Sequence, residues 1–158
     1  MTRTHSSENQ QTSPVHSRVA TGARLILGLI FTIFGLNGFL SFLPAPPPEG
    51  VALQFFSGLA ATGYFFPLLK GTEVLVGLAL LSGRYVPLAL TVLAPITLNI
   101  FAFHAFVDGQ VALPLGILAL QVYLAWHYRA AYRGVLEAKP ASSASEQETH
   151  ARRASYAQ

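Results

Sequence analysis

The sequence predicts an all-α protein, a four-transmembrane-helix bundle with a short interfacial segment between helices 1 and 2. Three observations carry that expectation. Hydrophobic residues fill 52% of the 158 positions and charged residues 11%, far below the ~25% charge of a soluble domain and too little to wet its surface. Four apolar blocks, at residues 23–43, 63–83, 86–106 and 113–131, each approach the ~20 residues a helix needs to cross about 30 Å of hydrocarbon. Basic residues fall on alternate sides of successive blocks, the signature of chain orientation in a membrane.

Residues 1–21 are rich in Ser, Thr, Gln and His without apolar period and read as a disordered cytoplasmic N-terminal tail. The transmembrane domain spans 22–136. Its first block, "ARLILGLIFTIFGLNGFLSFL", is longer than a signal-peptide core, and Pro46 follows the candidate cleavage site at Ala45, so the span is read as retained. The prolines of "PAPPPEG" end that helix. "VALQFFSGLAATG" then sets Phe55, Phe56 and Leu59 on one side. About 13 residues cannot span, so this segment reads as an interfacial lid, or alternatively as a substrate gate.

The second block carries Lys70 and Glu73. In the third, Pro87 lies at the start, and Pro95 lies inside, where it kinks the helix and frees the carbonyl of Thr91. The fourth ends in "LAWHYRAAYR", where Trp126, His127, Tyr128 and Tyr132 form an aromatic belt. Residues 137–158 are polar again and read as a disordered cytoplasmic C-terminal tail.

Arg18 and Arg24 stand before and at the start of the first block, Arg84 separates the second and third, and Arg129, Arg133 and Lys139 lie at and beyond the end of the fourth. The other two connections hold only Glu49 and Asp108 among charged residues. The positive-inside rule then puts both termini in the cytoplasm of a multi-pass inner-membrane protein. The lipid bilayer is thus the first partner, and the pI near 9.5 with a net charge of +3 needs no nucleic acid. The chain contains no cysteine, which excludes disulfides, thiol nucleophiles and Fe–S ligation. No Walker loop, G-x-G-x-x-G, HExxH or G-x-S-x-G occurs. No metal site is expected and no catalytic residue is assigned.

Counted along the helices, Asn37, Lys70, Glu73, Asn99 and Gln121 all fall about 9–14 Å from the outer end of their spans. An ionisable residue in a span costs about 2.5–3.5 kcal/mol on insertion scales, so these five form the candidate ligand or proton site. Two readings stand side by side. In one, the residues are a polar clasp that fixes helix packing in a non-enzymatic structural or assembly protein. In the other they line a pocket where Glu73 accepts a proton or hydrogen bond, Lys70 polarises a carbonyl oxygen, and the amides orient a quinone or lipid headgroup. A small-solute carrier or channel would need an oligomer, since four helices leave little room for paired repeats.

His104 and Asp108, at i and i+4, are secondary candidates for a hydrogen-bonded pair. His104 and His127 fall toward opposite faces, which argues against shared haem ligation. Gly28, Gly35, Gly38, Gly71 and Gly77 are read as points of close helix approach.

The segments "ARLILGLIFTIFGLNGFLSFLP" and "ATGYFFPLLKGTEVLVGLALLSGRYVPLALTVLAPITLNIFAFH" resemble the DoxX family of small four-helix integral membrane proteins, over roughly Ala23 to Leu136. The most specific part is K-x-x-E-x-x-x-G-x-x-L-L-x-x-R, here Lys70, Glu73, Gly77, Leu80, Leu81 and Arg84, supported by F-G-L-N at Phe34 to Asn37. The resemblance implies a four-helix membrane fold. It also implies association with a membrane redox system, with a quinone as cofactor and a redox-enzyme subunit as partner; a homo-oligomer is a separate expectation. In much of that family a basic residue closely follows the asparagine; here Gly38 does.

Overall fold

Helix ends in this chain are set by turn residues and by the fall in hydropathy, because propensity is high almost throughout. The computed structural model describes residues 14–133. Helix α1 runs Pro14–Leu40, α2 Gly50–Ala61, α3 Phe65–Ser82, α4 Val86–Phe103 and α5 Ala112–His127. A π turn over His104–Asp108 prolongs α4. No strand occurs among the described residues, so that part of the chain is all-α, as its composition and apolar blocks predict. Residues up to His127 form one unit. The unit that starts at Tyr128 contributes a 3-10 turn over Arg129–Tyr132, closed by the Ala131 N–H donating to the Tyr128 carbonyl at 2.9 Å.

Helix α3 stops at Gly83, which takes the left-handed conformation at φ 72° that side chains with a Cβ avoid. Arg24 of α1 reaches across and donates to the Leu80 and Leu81 carbonyls at that end. A cation there meets the negative end of the helix and satisfies carbonyls that have no helical partner.

The core lies between α1 and α3, with α4 and α5 packed beside them. Leu27, Leu80, Leu90, Leu93 and Leu124 are fully buried. Gly77 lets α1 and α3 touch backbone to backbone: a Cβ there would come 2.7 Å from the Thr32 nitrogen and 2.9 Å from the Gly28 carbonyl. Gly28, Gly35 and Gly38 share this seam, whereas Gly71 faces open space and mediates no close approach. The outward faces carry leucines such as Leu25, Leu29, Leu75, Leu78 and Leu88. Such faces suit hydrocarbon and not water.

Three helical stretches, Ser17–Leu40, Phe65–Ser82 and Val86–Asp108, are long and apolar enough to cross a membrane. The expected fourth span is shorter than residues 113–131 suggested. Helix α5 has 16 residues and rises about 24 Å, less than a typical hydrocarbon core. It ends where the apolar run meets "HYR", with Tyr128 out of helical geometry at φ −90°, ψ 12°. At the other end α1 begins at Pro14, so residues 14–21, expected in the tail, are helical. Proline suits a first helical turn, and Ala20 is buried, which ties this extension to the core. The disordered tails expected over residues 1–13 and 137–158 lie outside the described residues. The interfacial segment is a helix, α2, with no buried residue of its own, resting on α3 and the π turn.

Candidate functional site

Three and four residues along a helix bring side chains onto one face, and α3 uses that spacing for its two charges. Lys70 Nζ donates to both carboxylate oxygens of Glu73, at 3.1 and 2.8 Å. Glu73 is 2% exposed, while the Lys70 side chain keeps 24% of its surface open. The pair lies within one helix and joins no two helices. The Lys70 stem runs across α1 at Gly38, the residue without a side chain to block it.

Both charges open onto a cavity of about 850 Å³ between α2 and the adjoining ends of α1, α3, α4 and α5. That volume is in the range of small-molecule sites. Asn99 of α4 lines it, as do His104 and Asp108 of the π turn. His104 Nδ1 lies 2.7 Å from Asp108 Oδ2, so the i, i+4 pair expected from the sequence forms. Local π geometry commonly occurs at functional sites; here it carries this pair to the cavity rim.

Seven phenylalanines stand in the remaining apolar wall. Phe103 of α4 stands 4.9 Å from Phe56 and 5.4 Å from Phe55 of α2, ring centre to ring centre. Phe66 of α3 lies 6.3 Å from Phe56. These offset and tilted contacts suit aromatic quadrupoles and fasten α2 over the cavity. Glu49, at the N-cap of α2, adds a third carboxylate to the lining and makes no side-chain cap bond.

Two of the five expected site residues stand elsewhere. Asn37 Oδ1 accepts the Leu43 N–H at 2.7 Å and closes the turn after α1, where Ser41 takes φ 50°. A polar side chain one turn from a helix end meets unpaired backbone groups first, and here it spends its oxygen on them. Gln121 is buried and donates to the Leu90 carbonyl of α4 at 2.9 Å. Leu90 lies nine residues before Asn99, about 13 Å along the helix. Depth counted from span ends ignores the stagger of antiparallel helices, and that stagger takes Gln121 away from the cavity. Its role is to tie α5 to α4 five residues before Pro95, across which α4 continues as one helix. Among the described residues no cluster suited to a metal ion occurs.

Beyond Phe55 and Phe56, the aromatic wall escaped the sequence reading, as did Glu49 as a cavity residue. In a chain this apolar every face of a helix is hydrophobic, so periodicity does not separate cavity-facing from lipid-facing phenylalanines. The usable signal was the doubled "FF" at 55–56 and again at 65–66, on either side of one short turn. No family model matches the chain, and no curated protein or solved structure matches it. The described residues define an all-helical fold with three membrane-length helices and a capped, aromatic-lined site holding the Lys70–Glu73 ion pair and the hydrogen-bonded His104–Asp108 pair.

Proposed function

We propose that this chain is a DoxX-like integral membrane protein whose cavity under α2 receives the polar head of a quinone or lipid, as a component of a membrane redox system. The observation that carries the reading is that Lys70, Glu73, Asn99 and His104 open onto one phenylalanine-lined cavity. Glu73 accepts a proton or hydrogen bond from the ligand. Lys70 directs two N–H groups to Glu73 and has a third to offer a carbonyl oxygen. Asn99 and His104 orient the head, and the rings hold its apolar body. With no cysteine, thiol-based electron donation falls to a partner subunit.

In this reading the protein is a four-span protein of the inner membrane with both termini cytoplasmic. The absence of Lys and Arg from residues 44–62 and 107–112, against Arg18, Arg24 and Arg84 at the other helix ends, supports that orientation. Helix α5 crosses with local bilayer thinning, a modest cost per ångström of mismatch.

The alternative, a purely structural polar cluster, is favoured for Gln121 and Asn37 by their bonds to backbone. It is disfavoured for Lys70 and Glu73, whose bond lies within α3. The test is mass spectrometry of lipids and quinones that copurify in mild detergent with the wild type and with Lys70→Met/Glu73→Gln. A quinone or lipid enriched with the wild type and lost from the variant supports the proposal. Equal content in both, or none in either, overturns it.

A further inference from the structure

We infer that the head group this cavity selects is cationic: a lipophilic ammonium or phosphonium-type ion, seated at Asp108 against the ring of Phe103. The inference rests on reading the cavity as a ligand site, and it replaces the neutral quinone head with a cationic one as the preferred occupant.

Charge is the first argument. The lining holds three carboxylates, Glu49, Glu73 and Asp108, against one lysine and one histidine. Its formal charge is −2 with His104 neutral and −1 with His104 protonated, so the sign does not depend on the histidine. Lys70 and Glu73 cancel each other through their two-point contact. What remains uncompensated is Glu49 and Asp108. Glu49 sits at the N-terminus of α2, whose positive end offsets it; Asp108 closes the π turn at the C-terminal end of α4, whose negative end reinforces it. His104 engages Asp108 through Oδ2, leaving Oδ1 for a ligand.

The wall is the second argument. Phe103, Phe55 and Phe56 form a contiguous aromatic surface in the cavity that Asp108 also lines, and no Tyr or Trp is among its lining residues. Phenyl faces offer a cation their negative quadrupole and offer a neutral head no hydrogen bond. An anionic head meets a wall of its own sign. The combination fits a single positive charge carried on an apolar body.

The experiment uses the full chain in nanodiscs of zwitterionic lipid, with radiolabelled tetraphenylphosphonium as probe and empty nanodiscs as baseline. Saturable binding above baseline is expected, about tenfold weaker in Asp108→Asn, restored in Asp108→Glu, and several-fold weaker in Phe103→Leu, with thermal unfolding unchanged. No saturable binding, or equal affinity in a stably folded Asp108→Asn, overturns the inference. A second measurement needs the wild type alone: decyltrimethylammonium displaces the probe and decyl sulfate does not. Equal displacement by both overturns it as well. A short-chain quinone is run in parallel. If the quinone binds in a Lys70- and Glu73-dependent way while the phosphonium does not, the cationic preference falls and the ligand-site reading survives. If neither binds, both fall.

Discussion

The stem of Lys70 passes over Gly38: a Cβ on that glycine would collide with the Cγ and Cδ of the lysine. The position of the buried charge pair therefore depends on a residue of another helix that touches neither charge. Gly38→Ala displaces a flexible side chain, so it costs about 1 kcal/mol of stability or less but pulls Lys70 off Glu73. Quinone or lipid retention measured by mass spectrometry falls several-fold while the melting temperature moves little.

Gly77→Ala behaves in the opposite way. Its new Cβ meets the backbone of Thr32 and Gly28, which cannot rotate aside as a lysine does. Separating α1 from α3 costs about 1–3 kcal/mol, read as a lowered thermal unfolding midpoint in detergent. A midpoint equal to that of Gly38→Ala would contradict the close seam.

Removing one member of the α3 pair harms the fold more than removing both. Glu73 is almost wholly buried, and Lys70→Met leaves its carboxylate without a partner, at a cost of about 2–3 kcal/mol. Adding Glu73→Gln recovers at least about 1 kcal/mol. A double-mutant cycle by chemical unfolding measures this; additive single effects would show that the pair is not coupled.

Gln121→Leu separates packing from binding. It gives up the bond to the Leu90 carbonyl but also removes a buried acceptor, Oε1, that has no partner. The two effects oppose, so stability changes by about 1 kcal/mol or less. Ligand retention stays at the wild-type level, because Gln121 does not line the cavity. Loss of ligand in a well-folded Gln121→Leu protein would restore it to the site.

Arg24→Gln opens the C-terminal end of α3. Charged donors to buried carbonyls contribute about 1.5–3 kcal/mol, and the expected loss is about 2 kcal/mol. Arg24→Lys recovers only part, since a point charge does not span two carbonyls as a guanidinium does. The readout is again the unfolding midpoint.

Much of this was legible in the residues. The polar pair of α3, the His104–Asp108 pair and the segment that caps the cavity follow from spacing within single helices, where i+3 and i+4 neighbours are set by helical geometry. Asn37 and Gln121 were misplaced for one shared reason. Each was located by depth along its own span, and depth is blind to local backbone acceptors and to stagger between helices. Glu49 as a cavity residue and the phenylalanine wall beyond Phe55 and Phe56 were missed because hydropathy has no contrast in a chain whose outer faces are also apolar.

The sequence by itself determined the helical class, the apolar blocks and the charged pairs, since each is a property of one segment: hydropathy, length, or spacing on one helix. Only the tertiary structure decided which polar residues share a cavity, that Gly38 makes way for Lys70, and that Gln121 serves α4. Those outcomes depend on how far one helix slides and tilts against another. The glycines of the α1–α3 seam and the turn at Gly83 together select that packing, and no single segment contains it.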